Sequence, residues 1–229
     1  YKEIVGKKIK KVTSDPSDSA DGQMWYNSTT GSIRGLAVLT ATRSGSLMTT
    51  TRGNGGSMGS TRDASAVAGG YTSTANTNVT EEFNGSGFST GGNLNTSRRA
   101  LTGTGVITAG LVCAGYAASE SNATEEYDGS SFSNGGNLNT ARFHTGTFGT
   151  QTAGVAAGGS APSPAKNVTE EYNGSSWTTV PATLSVGRQE HMAGGTETAG
   201  ICCGGQPPYT TATEEYDGSA WTTGGSLNT

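Results

Sequence analysis

Thr124-Glu125-Glu126-Tyr127-Asp128-Gly129-Ser130-Ser131-Phe132 decides how the rest of the chain is read. The phrase returns three more times. Thr80-Glu81-Glu82-Phe83-Asn84-Gly85 leads to Phe88, Thr169-Glu170-Glu171-Tyr172-Asn173-Gly174 leads to Trp177, and Thr213-Glu214-Glu215-Tyr216-Asp217-Gly218 leads to Trp221. The four threonines are spaced by 44, 45 and 44 residues. A fixed period of that length marks a repeat architecture.

Working outward from the phrase gives the rest of each unit. Upstream lies a small apolar run closed by glycines: Ala66-Val67-Ala68-Gly69-Gly70, Leu111-Val112-Cys113-Ala114-Gly115, Val155-Ala156-Ala157-Gly158-Gly159 and Ile201-Cys202-Cys203-Gly204-Gly205. Further upstream an apolar residue stands four before an arginine: Met48 and Arg52, Leu94 and Arg98, Leu138 and Arg142, Leu184 and Arg188. A stretch rich in Gly and Thr separates the arginine from the apolar run. Downstream, Asn-Gly or Asp-Gly supplies the positive φ angles of a tight hairpin turn, and the returning strand carries Phe88, Phe132, Trp177 or Trp221. No segment sustains a helical period. Each unit therefore reads as a four-stranded antiparallel meander. About 44 residues cannot cover both faces of such a sheet, so neighbours must stack on it. Radial stacking makes a β-propeller. The strand of small residues is expected near the axis, where sheets crowd, with Cys acting there as a small hydrophobe.

Composition agrees with this and excludes other classes. The chain has 229 residues, of which 31% are hydrophobic and 37 are glycine. The net charge of −4 argues against nucleic-acid binding. No run of about 18 apolar residues suggests membrane insertion. Three cysteines, Cys113, Cys202 and Cys203, do not make a disulfide framework.

The units resemble the kelch repeat, which shows an arginine, a hydrophobic run ending in Gly-Gly, a tyrosine in the third strand and a tryptophan in the fourth. Arg142, Gly158-Gly159, Tyr172 and Trp177 match that pattern, as do their counterparts in the other units. The chain departs from it at Phe83, at Phe88 and Phe132, at Ala114-Gly115, and in its shorter period. The resemblance covers about residues 48–229. It implies an all-β fold, a β-propeller of four-stranded antiparallel kelch-like blades with four full repeats (about 48–91, 92–136, 137–180 and 181–225), preceded by a short N-terminal segment. Residues 1–24 read as a basic strand over Ile4–Val12 and a linker, residues 25–47 as a partial blade hairpin, with Leu36–Leu47 as strand plus loop. The last residues, Gly224 to Thr229, lead toward a further arginine that does not arrive. A chain that continues is favoured over one whose end closes on the N-terminal hairpin.

The paired carboxylates draw attention as acid–base groups or cation ligands. Adjacent strand residues point to opposite faces, so the members of a pair cannot converge on one ion. An active site is rarely built four times. One glutamate of each pair, among Glu81, Glu82, Glu125, Glu126, Glu170, Glu171, Glu214 and Glu215, is expected on a buried face. The one cation recurring in every unit is the arginine, so Arg52, Arg98, Arg142 and Arg188 are expected to pair with these carboxylates through the guanidinium fork. His144 and His191 belong to no Cys or His cluster with ligand spacing. No metal and no cofactor is expected, and no nucleophile elbow, phosphate loop or zinc signature appears.

The loops between the second and third strands vary most, and they emerge at the same end as the loops joining one unit to the next. Variable loops on a repeated frame are where binding usually sits. Tyr71, Tyr116 and Tyr209 could stack on sugar rings, with Lys166, Asn95 and Asn139 offering polar contacts. Asp15-Pro16 followed by Gly22-Gln23-Met24-Trp25-Tyr26-Asn27-Ser28-Thr29-Thr30-Gly31 resembles a segment of virion and tail-fibre proteins of tailed bacteriophages. That resemblance implies a non-enzymatic structural or adhesion module of an extracellular particle: a tail fibre, spike or decoration protein. Its expected partners are other virion proteins and host cell-surface glycans, and a homo-oligomer is among the expected assemblies. The alternatives are a protein–protein interaction propeller of a bacterial envelope or extracellular assembly and, less favoured, a glycan-active enzyme.

Overall fold

A computed structural model describes residues 10–14, 24–35, 47–160 and 164–228. The chain divides into two compact units, Tyr1–Gly45 and Ser46–Thr229. In the first, β1 (Lys10–Val12) runs parallel to β2 (Met24–Asn27), which forms a hairpin with β3 (Ser32–Gly35). The turn is held by Asn27, whose Oδ1 accepts the N–H groups of Thr29 at 3.0 Å and Thr30 at 3.2 Å. The rest of the strand expected from Ile4, and residues 36–46 of the strand and loop expected before the repeats, lie outside the described residues.

The second unit is a four-bladed β-propeller. Blade 1 comprises β4 (Gly56–Thr61), β5 (Ala64–Ala68), β6 (Thr80–Phe83) and β7 (Phe88–Thr90). Blade 2 comprises β8 (Thr102–Val106), β9 (Ala109–Cys113), β10 (Thr124–Tyr127) and β11 (Phe132–Asn134). Blade 3 comprises β12 (Gly146–Gly149), β13 (Gly154–Ala157), β14 (Thr169–Tyr172) and β15 (Trp177–Val180). Blade 4 comprises β16 (Met192–Thr196), β17 (Ala199–Cys203), β18 (Thr213–Tyr216) and β19 (Trp221–Thr223). Within each blade every strand pairs antiparallel with its sequence neighbours, as short connections dictate.

The strand nearest the axis is the Gly- and Thr-rich first strand; the apolar run expected there is the second. β4 packs on β8, β8 on β12 and β12 on β16. Thr102 Oγ1 lies 2.6 Å from Thr147 Oγ1, and Thr104 Oγ1 donates to the Gly149 carbonyl at 2.8 Å. Glycine and threonine are smaller or more polar than the alanines and valines of the second strand. They let backbones approach and stitch them together. The second strand instead splits its residues between two neighbours. Leu111 and Cys113 pack with Ala156, Tyr172 and Trp177 of blade 3, while Val112, between them, packs with Ala66 and Ala68 of blade 1. This is the two-residue alternation of a strand buried on both faces. Burial pushes the thiols of Cys113 and Cys202 up to about 12, so both act as small inert hydrophobes.

The turn between the third and fourth strands also differs from the tight hairpin expected. Tyr127 pairs with Phe132, leaving a four-residue loop, and only Gly129 has a positive φ, at 96°. The side chain does the folding: Asp128 Oδ1 accepts the N–H groups of Ser130 and Ser131, both at 2.8 Å. These bonds hold the Asp128 carboxyl down at about 2.

Candidate binding face

The repeated residues build the frame on which the loops stand. In each phrase the first glutamate turns inward and is buried: Glu81, Glu125, Glu170 and Glu214. Arg52 Nη1 lies 3.3 Å from Glu81, Arg98 Nη1 2.5 Å from Glu125 and Arg142 Nη2 3.1 Å from Glu170, while Arg188 bonds Glu214. Each arginine pairs with the glutamate of its own blade. The fork does more than neutralise charge. Arg142 also donates to the carbonyls of Val168 and Ala156 at 3.2 Å, and Arg188 to those of Gly204 and Ala212 at 3.3 and 3.2 Å. The second carboxylate oxygen receives the chain entering the blade: the N–H of Asn95 at 2.6 Å, of Asn139 at 2.7 Å and of Ser185 at 2.8 Å. Burial works to raise the Glu81 carboxyl, but the Thr49 and Thr50 N–H groups and Arg52 outweigh it and hold the group below its ordinary value.

The second glutamate reaches the next blade. Tyr127 Oη donates to Glu82, Tyr172 Oη to Glu126 at 2.5 Å and Tyr216 Oη to Glu171 at 2.5 Å. Trp177 and Trp221 likewise donate Nε1–H to Thr124 and Thr169 of the preceding blade, each at 2.9 Å. Burial first, and donation to the carboxylate second, push the Tyr127 and Tyr172 phenols up to about 12. Each junction is thus directional. In these aromatic side-chain bonds one blade supplies the acceptors and its successor the donors.

Beyond the arginine the chain turns toward the axis. Asn54, Ala100, His144 and Glu190 occupy matching positions with φ of 57°, 52°, 52° and 55°. The N–H of Ala100 donates to Asn54, that of His144 to Ala100 and that of Glu190 to His144, at 2.7, 2.9 and 3.2 Å. This chain of backbone bonds rings the axial mouth across three junctions. One residue earlier, Gly53, Arg99, Phe143 and Gln189 bridge Tyr71, Tyr116, Ser160 and Gln206, the residues that follow the three Gly-Gly pairs and Ala114-Gly115. Gly158 and Gly159, with φ of 65° and 100°, show why glycines precede this bridge: a side chain is strained in that conformation.

The non-repeating residues at this mouth form a stripe. The Arg99 guanidinium lies 4.9 Å from the Tyr71 ring centre and 4.8 Å from that of Tyr116, and Nη1 donates to Asn76 Oδ1 at 3.1 Å. Tyr116 meets Phe143 edge to face at 5.8 Å, and Phe143 meets His144 at 5.0 Å. His144 Nδ1 lies 3.1 Å from Glu190, whose other oxygen accepts from Gln206. All of these are partly exposed except Glu190, which is open to solvent. Burial lowers the His144 pKa, aided by the charge of Arg99, against the opposing pull of Glu190. The stripe is a polarised aromatic platform with a fixed cation near one end and a carboxylate at the other.

Of the residues singled out from sequence, Tyr71 and Tyr116 come together around Arg99. Tyr209 is 86% exposed in the corresponding loop of blade 4. The backbone N–H of Lys166 donates to the Gly159 carbonyl at 2.7 Å in the loop of blade 3; Pro162 of that loop lies outside the described residues. Asn95 and Asn139 are exposed and bond to the frame: Asn95 Nδ2 bonds Asn134 Oδ1 at 3.0 Å, and Asn139 Nδ2 bonds Glu170 at 2.9 Å and the Trp177 carbonyl at 3.1 Å. Arg99, Asn76, Phe143, His144, Glu190 and Gln206 were not anticipated. For Arg99 and Phe143 the signal was available in the position after each arginine, where the four units read Gly, Arg, Phe and Gln. Among the described residues, no group of three or more His, Cys, Asp or Glu converges as metal ligands would. No protein-family model matches the chain, and no curated protein matches it.

Proposed function

We propose that this chain is a non-enzymatic binding and structural module, a kelch-like propeller whose axial mouth contacts polyhydroxylated ligands such as cell-surface glycans. The observation that carries the reading is the Tyr71–Arg99–Tyr116–Phe143–His144 stripe. Partly exposed rings offer flat apolar faces to the C–H side of a sugar, while Arg99, Glu190 and Gln206 offer donors and acceptors to its hydroxyls. The phenols, indoles and carboxylates of the interior are consumed by the frame. The sequence resemblance of residues 15–31 to tail-fibre segments supports placing the module on an extracellular bacteriophage particle, beside other virion proteins.

A glycan array probed with the purified chain tests the reading, followed by titration of the best ligand. Tyr116→Ala removes the ring touching both Arg99 and Phe143 and is expected to weaken binding about tenfold, the worth of one stacked aromatic contact. Equal binding by this variant, with an unchanged melting curve, refutes the site. Release of reducing ends from a bound polysaccharide refutes the non-enzymatic part.

A further inference from the structure

The face of blade 4 that points away from blade 3 is unlike its three counterparts. Ile201 is 41% exposed, whereas Ala66, Leu111 and Val155 in the same register are 2% exposed or less. Leu227 is 47% exposed, while Leu94, Leu138 and Leu184 are buried. Cys203 lies two residues from Ile201 on the same face, partly exposed and free. Beside them is a groove of about 430 Å³ lined by Ile201, Glu215 and Thr222.

The polar groups of this face say what would cover it. At the first two junctions a phenol sits between the second glutamate and a glycine pair. Tyr172 Oη donates to Glu126 and accepts the Gly136 N–H at 3.3 Å; a Cβ on Gly135 would stand 2.6 Å from that oxygen. Tyr127 sits the same way against Glu82, Gly91 and Gly92. Blade 4 repeats the seat with Glu215, Gly224 and Gly225, and around Gly224 the near atoms are Thr213 Oγ1 and Glu215 Oε1, with no phenol. Blade 1 supplies no such phenol: the corresponding positions there are Phe83 and Phe88, which carry no donor. Among the described residues no hydrogen bond joins blade 4 to blade 1. The same lack of donors disfavours a second copy stacked head to tail.

We propose that this face is an interaction surface for a repeat blade carried by a partner protein, with a tyrosine in its third strand and a tryptophan in its fourth. The phenol donates to Glu215, the indole N–H donates to Thr213, and the sheet covers Ile201, Cys203 and Leu227. The proposal stands independently of the glycan reading.

The probe is a copy of residues 187–229, with the copy's own two cysteines replaced by alanine as at Ala156 and Ala157 of blade 3, joined directly after Thr229, which keeps register because Leu227 then stands as Leu184 does. Maleimide labelling of Cys203 reads coverage, since Cys113 and Cys202 are buried. The unextended chain is expected to label quickly and the extended chain at least tenfold more slowly. Replacing the copy's Tyr and Trp by Phe, or making Glu215→Leu beneath an intact copy, is expected to restore most of the rate. Equal protection by the Phe-substituted copy overturns the donor–acceptor argument. No protection by the intact copy, in a chain whose melting curve shows it folded, overturns the surface. Concentration-dependent self-association of the unextended chain that protects Cys203 overturns the choice of partner in favour of a second copy.

Discussion

Phe132→Trp should stabilise the propeller, although it enlarges a buried side chain. Trp177 and Trp221 each donate to the threonine that opens the phrase of the preceding blade. At the junction of blades 1 and 2 the aromatic residue is Phe132, and Thr80 Oγ1 is left buried without a partner. Such an unsatisfied group costs about 1–3 kcal/mol. Overfilling a core costs about the same, so the sign depends on room. The ring pairs supply that comparison: Tyr127 and Phe132 stand 4.5 Å apart at 34°, Tyr172 and Trp177 5.0 Å apart at 37°. Trp177 is 5% exposed against 8% for Phe132, so the indole fits the repeat without a different arrangement. We expect a net gain of about 1 kcal/mol, or about 2–4 °C in Tm for a domain of this size. Thermal and urea melts of a double-mutant cycle with Thr80→Val decide the matter. Thr80→Val alone should also stabilise, because it removes the unsatisfied hydroxyl, and in its presence the tryptophan should give nothing. A gain of equal size in both backgrounds would refute the hydrogen bond as its cause, and a loss would refute the equivalence of the junctions.

Tyr172→Phe removes the donor to Glu126 and should cost about 1–3 kcal/mol in urea melts, whereas Phe83→Tyr should change little because no bond from blade 4 awaits it. Arg98→Met strands the buried Glu125 carboxylate and should cost about 3–5 kcal/mol, measured the same way. Burial, aided by the charge of Arg188, lowers the pKa of His191 from 6.5 to about 4. The unfolded chain therefore takes up this proton first. The stability it protects is complete above pH 6.5 and is lost as pH falls toward 4, by on the order of 3 kcal/mol. His191→Leu, which copies Leu101 of blade 2, should flatten that part of a stability-against-pH curve.

The blade was legible because its apolar residues and turn signals recur in phase, and the arginine–glutamate pair because one cation accompanies each phrase. What was hidden shared one cause. Tyr127 is adjacent in sequence to Glu126, yet its hydroxyl serves Glu82, 45 residues away, and Glu126 is served by Tyr172. Adjacent strand residues face opposite neighbours, so a partner across a junction lies one period off and no local pattern points to it. The innermost strand was misplaced because glycine and threonine carry no hydrophobic signal, though they allow the closest approach. The turn was misread because Asp128 acts through its side chain rather than its own backbone angle. The stripe was half seen. Tyrosines in variable loops attract notice, while Arg99 stands beside an arginine already assigned to the frame.

The direction of the junctions gives the aromatic substitutions a meaning. Entering each blade in turn, the third- and fourth-strand residues read Phe83 and Phe88, Tyr127 and Phe132, Tyr172 and Trp177, Tyr216 and Trp221. Donors thus number none, one, two and two. The aromatic donors serve the blade before their own, and the departures from a uniform repeat fall at Phe83, Phe88 and Phe132. The opposite edge of the array keeps its acceptors, which is why Glu215 and Thr213 belong to the same design as Glu126 and Thr124. The axial mouth obeys a different rule. Its backbone positions repeat, but Gly53, Arg99, Phe143 and Gln189 share no chemistry. Only a surface released from the demands of stacking can vary so freely, and that freedom separates the candidate binding face from the frame that holds it.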